Sequence, residues 1–141
     1  MKLNLAASVL AVLVFSVSMF SQGQPGSGVT AEMRTAANAL YQASDWQKAV
    51  TAYEKIVALE PANPNANYRL GMSLLNLERN ADAQKPLEKA FTTSPNPIFG
   101  MALARSYARA GDKAKALDTL DKSTRGRMDN EIRRAYHPAG I

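Results

Sequence analysis

Residues 46–61 read WQKAVTAYEKIVALEP, and residues 80–95 read NADAQKPLEKAFTTSP. The second stretch lies thirty-four residues after the first. Each carries an Ala (Ala49, Ala83), then Tyr53 or Leu87 four residues on, then Glu-Lys, then a closing proline at Pro61 or Pro95. A third, looser copy follows with Ala116 and Leu120. Upstream, Ala37, Gly71 and Ala104 fall into the same register. The units so aligned begin at Thr30, Pro64 and Pro97, with spacings of 34 and 33 residues. A period of this length marks a stack of supersecondary units, none of which can bury its apolar face alone.

Each unit holds two helical patterns. Thr30 is placed to cap a helix running to about Ala43, and Ser44 with Gln47 has the Ser-x-x-Gln spacing of a capping box. In the later units Asn63-Pro64 and Asn96-Pro97 place a capping side chain ahead of a proline suited to the first helical position. Asn80 restarts the chain into the second helix of its unit, and Gly111-Asp112 makes the turn of the third. Pro86 falls inside a helix, where it removes one backbone hydrogen bond, so a bend is expected there. The small residues at 37/49, 71/83 and 104/116 predict close crossings of the two helices of each unit. Ser123 stands where a small apolar residue is expected, as if that face were ending.

The second unit, with Leu70-Gly71, Leu74, Ala83, Leu87 and Pro95, resembles the tetratricopeptide repeat. The third (Leu103-Ala104, Tyr107, Ala116, Leu120) and the first (Ala49, Tyr53, Pro61) follow it in part, and none has the signature Trp. The resemblance covers residues 30–123. It implies an all-α, right-handed superhelical solenoid of antiparallel helix pairs with three repeats, 30–63, 64–96 and 97–127. It also implies a concave face lined by the first helix of each pair. Carried over residue by residue, that face holds Arg34, Asn38 and Tyr41, then Tyr68, Met72 and Leu75, then Met101 and Arg105, with Arg69 near the rim. This surface has Arg at both ends, an apolar middle and no acid, and suits a peptide with apolar anchors and a carboxylate. Some relatives clamp the C-terminal carboxylate of cytosolic chaperones. Arg34 and Asn38 match half of that clamp, but Arg69, Ile98 and Ala102 replace the rest, so a chaperone receptor is excluded.

After Gly126 the stretch RMDNEIRRAYHPAGI sets Met128, Ile132, Ala135 and Tyr136 on one helical stripe. A break at Gly126 and a short capping helix and tail over 128–141 are expected. At the other end, one Lys precedes an apolar run from Leu5 to Phe20 and then a Ser/Gln/Gly/Pro stretch. This is the layout of a secretory signal over 1–21 (or, less fittingly, of a membrane anchor), with a flexible linker over 22–29. Export without any Cys points to the periplasm or cell envelope of a bacterium.

The absence of Cys excludes thiolate chemistry, and His137 is the single His. Acids mostly sit beside Lys or Arg, as in Glu54-Lys55 and Glu88-Lys89, the pattern of a solvated helix face. No catalytic residues, cofactor or metal are expected, and the chain reads as no enzyme. The expected function is a protein–protein interaction module that binds a peptide or protein segment. An accessory or receptor subunit, with activity in a partner, fits the same residues. The formal charge of +5 and the tail arginines (Arg125, Arg127, Arg133, Arg134) leave binding of an anionic surface as a remote alternative, and nucleic acid is not expected.

Overall fold

The computed structural model describes residues 28–136, with side chains as far as Arg125. The export segment, most of the linker and residues 137–141 lie outside the described residues. Among the described residues six helices form three successive pairs: α1 (Ala31–Gln42) with α2 (Trp46–Leu59), α3 (Pro64–Asn76) with α4 (Asn80–Thr93), and α5 (Pro97–Arg109) with α6 (Lys113–Tyr136). Among the described residues there is no strand. Each helix packs on its neighbours in sequence, and α3 also meets α5, so the first helices of the second and third pairs lie side by side.

One turn design closes all three pairs. The N–H groups of Asp45, Arg79 and Asp112 reach back to the carbonyls of Leu40, Leu74 and Tyr107 at 3.0, 3.0 and 2.9 Å. The N–H groups of Ser44, Glu78 and Gly111 bond to the carbonyls of Tyr41, Leu75 and Ala108. This Schellman closure needs one residue in the left-handed region. Ser44, Glu78 and Gly111 fill that place, with φ of 58°, 60° and 90°. Ser44 is therefore not the expected cap. It closes α1, and Asp45 caps α2, its side chain accepting from the Lys48 N–H at 3.3 Å. Thr30 and Asn63 cap α1 and α3 as read, accepting from Met33 and Ala66. Asn96 does the same for α5, accepting from Ile98. Helix α4 starts behind Arg79 with no side-chain cap, and it runs unbroken through the buried Pro86.

Ala37, Ala49, Ala83, Ala104 and Ala116 are all buried, as the crossings require. At Gly71 the closest neighbour is Leu87, because a Cβ there would stand 2.4 Å from Leu87 Cγ. At Gly100 it would stand 2.4 Å from Ser123 Cβ. Ser123 is buried in this crossing, with its hydroxyl bonded to the Leu120 carbonyl at 2.8 Å, so the packed face does not end there. The expected break at Gly126 is also absent, since α6 runs on to Tyr136. A helical Gly costs about 1 kcal/mol relative to Ala, too little to stop a helix without a left-handed turn. The packing of Met128, Ile132, Ala135 and Tyr136 lies outside the described side chains.

Candidate binding groove

The predicted residues sit on three helices: Arg34, Asn38 and Tyr41 on α1, Tyr68, Arg69, Met72 and Leu75 on α3, and Met101 and Arg105 on α5. At the first junction Asn38 is the hub. Its Oδ1 accepts from the Tyr53 hydroxyl at 2.7 Å and from the Arg69 guanidinium. Arg69 also donates to the Tyr53 hydroxyl at 3.1 Å, and its guanidinium lies over the Tyr41 ring, 5.5 Å from the centroid. Tyr41 meets Trp46 and Tyr53 edge-on, and burial pushes its hydroxyl pKa above the usual tyrosine value. Arg69, read from the sequence as a rim residue, is thus turned inward and held by three aromatic or amide groups.

A recess of about 160 Å³ opens beside this cluster, lined in part by Arg34, Asn38, Asn65 and Arg69. Arg34 forms an ion pair with Glu60, which also accepts from Asn63 Nδ2 at 2.8 Å. The face is therefore not free of acid, as the sequence suggested, because the end of α2 brings Glu60 onto it. Arg69 and Arg105 have no acidic partner among the described residues.

At the second junction the Tyr68 ring lies against Phe99, with centroids 4.9 Å apart. Arg105 donates to Met72 Sδ at 3.0 Å. Met101 is exposed, and Tyr68 and Met72 are half-buried. Leu75 departs from expectation. It is only 2 % exposed and belongs to the core, and Arg109 donates to its carbonyl at 3.2 Å. Helical spacing put Leu75 on the groove face, but its side chain is buried in the core. The apolar middle is accordingly Tyr68 and Met72 from α3 with Met101 from α5.

Three contributors escaped the sequence reading. Tyr53 was aligned as a core residue, and its ring is buried, yet its hydroxyl enters the groove. The signal was a Tyr where the other units have Leu87 and Leu120. Phe99 supports Tyr68 from the next unit, and Glu60 left no signal beyond its place before Pro61. Among the described residues no three His, Asp or Glu side chains gather as a metal site. The geometry offers fixed guanidinium donors beside aromatic and thioether surface, which is equipment for holding a ligand.

Comparison with family models matches residues 34–96 and 68–131 to the tetratricopeptide repeat. The chain belongs to the tetratricopeptide repeat family. Among solved structures, MamA of MSR-1 is 25% identical with a TM-score of 0.65, covering 70% of this chain and 57% of its own. MamA of AMB-1 is 28% identical with a TM-score of 0.63, covering 66% and 51%. A mutant form of MamA is 27% identical with a TM-score of 0.63, covering 67% and 69%. The chain thus spans a little over half the length of the first two. A comparison with curated protein sequences finds no match. Tetratricopeptide repeats as a family are non-catalytic scaffolds, and the helix pairs of this chain form a scaffold for protein–protein interaction.

Proposed function

We propose that this scaffold binds a peptide or protein segment along the groove of α1, α3 and α5, and that it does so in a bacterial cell envelope. One observation carries the reading: an apolar strip of Tyr68, Met72 and Met101 lies between two arginines, Arg69 and Arg105, that have no acidic partner among the described residues. A ligand with an apolar anchor and acidic flanks answers that pattern. Desolvated aromatic and Met contacts supply most of the affinity, and the arginines speed encounter and select charge. The signal-like residues 1–21 and the lack of Cys support the envelope location.

The test is crosslinking capture in the native envelope, repeated with Tyr68→Ala and Arg105→Ala. Tyr68→Ala is expected to weaken binding by about 1–3 kcal/mol with unchanged salt dependence. Arg105→Ala is expected to cost less and to flatten the salt dependence. Recovery of the same partners at the same yield by both variants would place the binding surface elsewhere.

A further inference from the structure

The two ends of the solenoid carry matching halves of an interface that the chain already makes twice within itself. The trailing half is the outer face of the second helix of a pair. In α2 its places are held by Val50 and Tyr53 and in α4 by Gln84 and Leu87. Val50, Tyr53 and Leu87 are buried, Leu87 in part against Gly71 of its own pair, and α2 packs on α3 and α4 on α5. In α6 the same places hold Leu117 and Leu120, which are 69% and 38% exposed. No described element follows to cover them, because α6 continues along its own axis to Tyr136 and does not fold back.

The leading half lies on the first helix of a pair. In α3 it is Asn67, Leu70 and Leu74, and in α5 it is Gly100, Leu103 and Tyr107, all buried, with Gly100 close to Phe91 of α4 as well as to Ser123 of its own pair, and Tyr107 bonded to Glu88 of α4. In α1 the same register holds Met33, Ala36 and Leu40. There Ala36 is exposed and the other two are half-buried, beside an open groove of about 400 Å³ that Ala52 also lines.

We propose that a second copy of this chain seats its α1 face on the α6 face of the first, continuing the stack head to tail. The occupant follows from continuity with the α2–α3 and α4–α5 interfaces: the covering surface each end lacks among the described residues is the surface the other end presents. Such a contact is heterologous and does not close on itself, so assembly grows with concentration and does not stop at a dimer. The proposal goes beyond the groove assignment and does not depend on it.

The experiment is sedimentation velocity on the exported chain over a concentration series, with Leu117→Lys and Ala36→Lys as probes. Both sites are exposed, so the fold is expected to survive, and far-UV circular dichroism checks it. Each variant alone is expected to lose higher assemblies, with an apparent dissociation constant raised at least about tenfold. An equimolar mixture of the two is expected to recover a one-to-one dimer, since each molecule keeps the half that the other has lost. A parent that stays monomeric up to about 1 mM overturns the proposal. So does a pattern in which Leu117→Lys abolishes assembly and Ala36→Lys leaves it intact, which marks tail-to-tail pairing. A mixture that remains monomeric overturns it as well.

Discussion

Replacing Gly71 with Ala tests the crossing on which the middle repeat depends. The added Cβ would stand 2.4 Å from Leu87 Cγ and 2.7 Å from Leu87 Cδ2. Ordinary carbon contacts are about 3.5–4.0 Å, so Leu87 must move by about 1 Å. Leu87 is fully buried, and that displacement passes into the core that α3 and α4 share with α5. Overpacking of this kind costs about 1–3 kcal/mol, and the helix propensity of Ala over Gly returns about 1 kcal/mol. In the parent the change is therefore expected to destabilise or, at best, to break even. In a Leu87→Ala background the obstacle is gone. That background itself costs about 2–5 kcal/mol, and the same Gly71→Ala change should now stabilise by about 1 kcal/mol. The sign reversal is the decisive feature, with a coupling energy of about 1–3 kcal/mol. Urea melts of the four chains measure it, with a stabilising osmolyte added if the Leu87→Ala chain is partly unfolded. Equal effects of Gly71→Ala in both backgrounds would refute the argument that Leu87 requires the glycine.

The left-handed turn residues give a second expectation: Glu78→Gly and Ser44→Gly should each raise stability by about 0.5–1 kcal/mol, and Gly111→Ala should lower it by about 1 kcal/mol, in thermal melts. Burial first, and then the hydrogen bond to the Glu88 carboxylate, pushes the Tyr107 hydroxyl up to about 12. An unfolded tyrosine titrates near 10, so this contribution to stability is complete below about pH 10 and is lost as pH rises toward the folded value. Tyr107→Phe should make the alkaline loss of stability shallower across that window, and denaturant titrations giving identical slopes for the two proteins would contradict it. The export reading predicts an intact mass short of the full chain by about 18–23 residues in protein recovered from the envelope. Full-length mass in the membrane fraction would favour an anchor.

Local chemistry wrote much of this protein into its sequence. The period of 34 and 33 residues, the caps at Thr30, Asn63 and Asn96, and the prolines at Pro64 and Pro97 depend on near neighbours, so they determine the helix pairs before any packing is known. The buried alanines followed too, because only small residues permit two helices to cross closely. Contacts between units were not legible in the same way. Helical spacing places Leu75 and Met72 on nearly the same face, yet one is buried in the core and the other lies beside Arg105. Arg69 looked like a rim charge until Asn38 and Tyr53, 31 and 16 residues earlier, were seen to draw it inward. Ser44 shows the limit at its smallest scale. A capping serine and a left-handed turn residue read alike in sequence, and the Asp45 N–H bonding back to Leu40 decided between them. Gly126 likewise has no fixed meaning: it ends a helix only where the chain turns left-handed after it, and α6 does not turn. Tertiary structure decided which surface the repeats share with one another and which they leave open, because covering a side chain depends on the unit that follows, not on the helix that carries it.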